Sequence, residues 1–140
     1  MKPLFKGIVD HFNKQYSSGG SSVYYDVYND VSGQIYNTEA PQSSASEPYI
    51  VFNLVSNMNA ETFNEDTEEA IVQFNVFSTN HALTNVCNIY SHLTTRFDGA
   101  TMSSLSSSYA NTYCKREFSQ LVRSDDTWHY IIQYRMRISK

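Results

Sequence analysis

Residues 128–138, "WHYIIQYRMRI", alternate with a period of two. Trp128, Tyr130, Ile132, Tyr134, Met136 and Ile138 fall on one side, and His129, Ile131, Gln133, Arg135 and Arg137 on the other. Successive side chains of a strand point to opposite faces, whereas a helix would scatter this apolar set around its circumference. The run therefore reads as a strand with one face in a core and one face polar. A half-buried strand needs a sheet covered on one side, and so a second layer.

Two other runs carry the same period. In "PYIVFNLVSNM" (48–58), Ile50, Phe52 and Leu54 point one way and Tyr49, Val51, Asn53 and Val55 the other. In "EEAIVQFNVFST" (68–79), Val72, Phe74 and Val76 oppose Ile71, Gln73, Asn75 and Phe77. The polar "NAETFNED" (59–66) between them suggests a long hairpin with an acidic tip. The second face of both runs is half-apolar, a surface suited to meeting another. "TYCKREFSQLVR" (112–123) and the turn "SDD" (124–126) lead into the last strand.

Helical spacing appears elsewhere. After Pro3, suited to a first helical position, Phe5, Ile8, Phe12 and Tyr16 form a stripe that "SSGGSS" (17–22) breaks. Tyr24, Val27, Tyr28 and Val31 suggest a short second helix, with an edge strand after Gly33. Pro41 and Pro48 bracket a serine-rich spacer and hold the residues before them extended. Pro48 lacks an N–H and fits the first residue of a strand. Thr79 or Asn80 can cap a helix whose stripe is Leu83, Val86, Tyr90, Leu93 and Phe97, with Ile89 flanking and Gly99 ending it. Residues 101–109 read as a loop. The pattern is α+β: a mainly antiparallel sheet of four to five strands with helices packed on one face, in a single domain over residues 1–140 without internal repeats.

The motifs of catalysis are missing. Glycines at 7, 19, 20, 33 and 99 cannot make a phosphate loop, and no serine sits in GxSxG. His81 and His92 are eleven residues apart on one helix, too far along its axis to hold one metal; with His11 and His129 they read as surface or helix-end histidines. Cys114 with a distant histidine is a pairing that any cysteine protein offers. Glu65, Asp66, Glu68 and Glu69 lack the alternating ligands and central glycine of a calcium loop. The expectation is a chain with no enzymatic activity, no cofactor and no metal. Cys87 and Cys114, without CxxC spacing, read as reduced thiols of a cytoplasmic setting. No run reaches the ~18 apolar residues of a membrane span, and "MKPLFKGIVDHF" lacks the apolar core of a signal peptide.

Charge is distributed unevenly. No Lys or Arg occurs between Lys14 and Arg96, an interval holding nine acids, while residues 96–140 carry a balance of +3 and residues 1–14 of +2. One reading is a solvated acidic face. The other is a polar subunit whose two sides attract each other between copies, a head-to-tail contact that closes into a ring. Eleven tyrosines and eight phenylalanines could stack on bases, but the net charge of −4 and the lack of a dense basic patch argue against specific nucleic-acid binding.

Taken in order, an N-terminal helix, "GQIYNTEAPQ" (33–42), a short spacer, "PYIVFNLVS" (48–56), "AIVQFNVFSTN" (70–80), a helix directly after it, and two strands ending in "IQYRMRIS" (132–139) resemble the phage tail-completion or tail-terminator family, the tail-to-head joining proteins of long-tailed phages. The likeness covers residues 30–138. It implies a structural subunit of the virion tail, assembled in the host cytoplasm, that forms a ring, typically a hexamer. Its partners would be copies of itself, the tail tube protein and a head connector or completion protein, with DNA passing through the hole and no membrane involved. In such a ring Glu61, Glu65, Asp66, Glu68 and Glu69 would either face the channel or meet Arg116, Arg123 and Arg135 of a neighbouring subunit. Another small phage head-completion or minor tail assembly protein fits the pattern too. A small-ligand-binding α+β domain would instead be a monomer with a deep apolar pocket.

Overall fold

The structure, a computed structural model, describes residues 2–41, 46–59, 67–79, 83–102, 105, 109–124 and 126–139. The elements run α1 (Lys2–Asn13), β1 (Gln15–Ser18), β2 (Ser21–Tyr24), α2 (Asp26–Asp30), β3 (Ile35–Asn37), β4 (Tyr49–Asn59), β5 (Thr67–Ser78), α3 (Leu83–Phe97), β6 (Ala110–Ser124) and β7 (Thr127–Ser139). Five strands form one sheet in the order β3-β4-β5-β7-β6. Every neighbour in it is antiparallel except β3, which joins β4 in parallel, so the fold is α+β, mostly sheet, and the sheet is mixed.

The period-two runs bury the side the sequence marked as core. Ile50, Phe52, Val72, Phe74, Val76, Ile132, Tyr134 and Met136 are all buried. Against them lie Leu4, Ile8 and Phe12 of α1 and Val86, Ile89, Leu93 and Phe97 of α3. The rings interlock: Phe74 lies 4.8 Å from Phe97, and Phe52 6.1 Å from Phe5. Tyr134 is buried among them because its hydroxyl has an outlet, donating to Asp98 Oδ1 at 2.6 Å. Both cysteines are free thiols, and burial pushes that of Cys114 up to about 12, which makes it a poor nucleophile.

Helix ends follow the backbone chemistry. Gly99 takes φ +66° just past α3, the left-handed conformation that glycine adopts without strain. Gly33 takes φ +74° after α2, and a Cβ there would meet the Tyr28 ring at 2.8 Å. That glycine turns the chain into β3, the edge strand expected there.

Three expectations are corrected. Tyr16 does not extend the α1 stripe: it lies in β1, 43% exposed. The stripe is Leu4, Ile8, His11 and Phe12, with Phe5 packed against the core. "SSGGSS" does more than break a helix, since Gly19 and Gly20, both at positive φ, turn a β1–β2 hairpin outside the main sheet. In α3, Leu83 is exposed, and Ile89 rather than a flanking residue is fully buried. The hairpin tip and Asn80 lie outside the described residues.

Candidate functional site

The face of the sheet turned away from the helices holds the organised polar groups. Its centre is a row of carboxamides. Asn75, itself buried, donates from Nδ2 to the Val51 carbonyl (3.1 Å) and to Asn53 Oδ1 (3.0 Å). Its Oδ1 accepts from Gln73 Nε2 (2.7 Å) and from His129 Nε2 (3.0 Å). Gln133 Nε2 in turn donates to Gln73 Oε1 (2.9 Å). The cross-strand register creates this row, by setting Asn53 opposite Gln73 and Gln73 opposite Gln133. The His129 ring stacks on Phe77 at 4.4 Å, and burial lowers its pKa below the usual 6.5.

One end of this face is ionic. Glu69, with 13% of its side chain exposed, accepts from Arg137 Nη2 (2.8 Å), from Arg135 Nη1, and from the Tyr113 hydroxyl (2.8 Å). Hydrogen bonds from Arg137, then Arg135, then Tyr113 hold its carboxyl down at about 2. Arg135 also reaches Glu117 through Nε at 2.5 Å. Two arginines are thus matched by two glutamates within one chain, and the face carries little net charge despite its ionic content.

The predicted site residues separate accordingly. Glu69 and Arg135 come together, in one copy of the chain. Arg116 stands on β6, its Nη1 donating to the Tyr90 hydroxyl at 2.5 Å and its Nη2 3.4 Å from Asp98. Arg123 lies 4.6 Å over the Trp128 ring. Glu68 sits on β5 opposite Ile138. Glu61, Glu65 and Asp66 lie outside the described residues. Sequence reasoning missed the carboxamide row, whose signal was the recurrence of Asn and Gln on the second face of three strands.

The described surface offers little for chemistry. A cleft between α2 and α3, lined by Tyr25, Asp26, His92, Thr95 and Arg96, holds about 100 Å³, and two more open depressions, one beside Glu47, Pro48 and Asn85 and one beside Tyr90, Arg116 and Glu117, hold about 280 and 250 Å³, all below the ~300 Å³ at which small-molecule pockets begin. His92 Nδ1 donates to Asp30 Oδ2 at 2.5 Å, but the neighbouring Thr95 hydroxyl is spent on the Ser91 carbonyl. The Arg96 guanidinium stacks on Tyr25 at 3.8 Å and donates to the His11 carbonyl. These contacts tie α1, α2 and α3 together and present no nucleophile. Among the described residues no three His, Cys, Asp or Glu gather as metal ligands.

No protein-family model and no curated protein matches the chain in sequence. Its fold is similar to that of a chain in a solved structure described as "Virion of native gene transfer agent (GTA) particle". The TM-score is 0.66 at 13% identity, covering 82% of this chain and 85% of the other, so the likeness is one of fold across nearly the whole of both chains.

Proposed function

We propose that this chain is a structural subunit of a phage-like virion, and within the virion a tail terminator. Copies form a ring, typically a hexamer, that caps the tail tube and docks it to the head connector, with DNA passing through the hole. The observation that carries this reading is the shared fold with a chain of a gene transfer agent virion, over 82% of this chain. The tail-completion pattern of residues 30–138 points the same way. Native mass spectrometry of the chain, alone and with tail-tube protein, tests it. A species several times the 16.0 kDa chain is expected. A single copy in both conditions overturns the ring.

Within that ring, Glu61, Glu65, Asp66 and Glu68 either line the channel, where they repel phosphate and let DNA slide, or bind the basic side of a neighbouring copy that carries Arg116 and Arg123. Glu69 and Arg135 are already engaged within the chain. Changing Glu65, Asp66 and Glu68 to Lys separates the two roles. A channel role leaves rings intact but makes particles retain DNA in a salt-dependent way. An interface role stops assembly, and reversing Arg116 and Arg123 to Glu partly restores it. Unaltered assembly and DNA release remove both roles.

A further inference from the structure

The sheet leaves two stretches of edge without a strand partner among the described residues, one at each end of the strand order. β3 covers β4 only at Ile50–Phe52, so from Asn53 to Asn59 β4 pairs on one side alone. At the other end β7 is the one strand that pairs with β6 among the described residues. Unpaired edges of this length are templates for another strand.

The ladder shows which backbone groups point outward. The Ile50 N–H donates to the Gln34 carbonyl (3.0 Å) and the Phe52 carbonyl accepts from Thr38 (2.8 Å), so alternate residues of β4 face away from β5. The bulge between Leu54 and Ser56 adds one residue and shifts that phase, which turns Asn57 outward. On β6 the Cys114 carbonyl points away from β7, to the Gly99 N–H at 2.9 Å. Beyond the Arg116/Phe118 bulge the outward groups are those of Ser119, Leu121 and Arg123.

We propose, resting on the ring reading above, that copies of this chain join head-to-tail by strand pairing, the Asn53–Asn59 edge of β4 in one copy against the Arg116–Arg123 edge of β6 in the next. Direction favours it. β4, β5, β7 and β6 alternate, so β6 runs opposite to β4. A neighbour rotated about an axis alongside the strands therefore sets its β4 antiparallel to β6, and the ladder continues across the boundary. The sheet is curled, with bulges in both edge strands, so repetition bends round toward closure. The obvious rival, a two-fold pairing of β6 with itself, would leave the β4 edge unused. The β4 edge from Asn53 to Asn59 carries no charge. It exposes Val55 (48%) and Met58 (60%), and β6 exposes Phe118 (46%).

Proline at an outward N–H removes the edge donor and leaves the internal ladder intact. Asn57→Pro thus blocks the β4 edge, and Ser119→Pro the β6 edge. The wild-type chain is expected to form species above the dimer by light scattering at rising concentration, and each variant alone to stay monomeric. A 1:1 mixture of the two is expected to stop at the dimer, because it has one intact β4 edge to meet one intact β6 edge. Asn57→Lys and Ser119→Lys repeat the test should either proline variant lose its circular dichroism signal. A mixture that stays monomeric, a variant that still assembles alone, or a monomeric wild type overturns edge pairing. Rings that form on tail tubes in spite of both substitutions overturn it while leaving the tail-terminator reading intact. A single wild-type copy on those tubes removes the ring itself.

Discussion

The face of the sheet under the helices and the face turned away from them alternate residue by residue along the same strands, yet different forces hold them. The inner face is apolar and pinned by volume: Phe74 touches Phe52, Phe97 and Tyr134 through ring contacts between 4.8 and 6.1 Å. On the outer face hydrogen bonds set the order, from Asn53 through Asn75 and Gln73 to Gln133, and then the Glu69 ion pairs. An ordinary solvated face leaves its polar side chains to water. Here they bond to one another across strands, so the face has a defined shape without a covering layer. Such a surface can be offered to a second body with little ordering cost.

The largest effects should come from the inner face. Phe74→Ala is expected to cost about 3–5 kcal/mol and Ile132→Ala about 2–5 kcal/mol, since both are fully buried and their neighbours cannot collapse freely. Denaturant unfolding followed by circular dichroism measures this. A loss below ~1 kcal/mol for either would mean that its pocket refills, and that volume does not pin this face.

That inner face was readable because its rule is local. A period of two over residues 128–138 is written in the strand itself, and burial follows it from Ile132 to Ile138. The 3.6-residue stripe of α3 is equally local. The β1–β2 hairpin was missed although Gly19 and Gly20 sit between Tyr16 and Val23, a two-residue turn signal that reads equally well as a helix breaker. The outer face was hidden for a different reason. Which amide meets which depends on register between strands 20 to 60 residues apart, and the bulges that set it, at Val55 and Glu117, leave no mark in the alternation. Glu69 and Arg135 were both singled out, but only the register shows that they meet within one chain.

An intermediate effect is expected where the outer face behaves like a core. Asn75 is 7% exposed and all its bonds are made inside the chain. Asn75→Ala leaves Gln73, Asn53 and the Val51 carbonyl short of partners, at a cost of about 1–3 kcal/mol. Asn88→Ala, an exposed position on α3, is the control, with a change within about 0.5 kcal/mol. Equal losses at the two sites would erase the distinction between an organised face and a solvated one.

The smallest effect is the most specific. In the unfolded chain the Glu69 carboxyl titrates at about 4.5, and in the folded chain the bonds from Arg137, Arg135 and Tyr113 hold it at about 2. A depressed carboxyl stabilises the fold at pH values above 4.5, and the contribution is lost as the pH falls from 4.5 toward 2. His129, held below 6.5 by burial, also weakens the fold in acid, but it begins to do so at higher pH and is common to wild type and variant. The informative quantity is therefore the stability difference between wild type and Glu69→Gln, taken by urea unfolding across pH. It should be constant near neutrality and shrink between pH 4.5 and 2, as the wild-type carboxylate is lost and the variant has none to lose. A difference that stays flat through that window would mean that Arg135 and Arg137 are held by other partners, and that the ionic end of the outer face is solvated like any other surface.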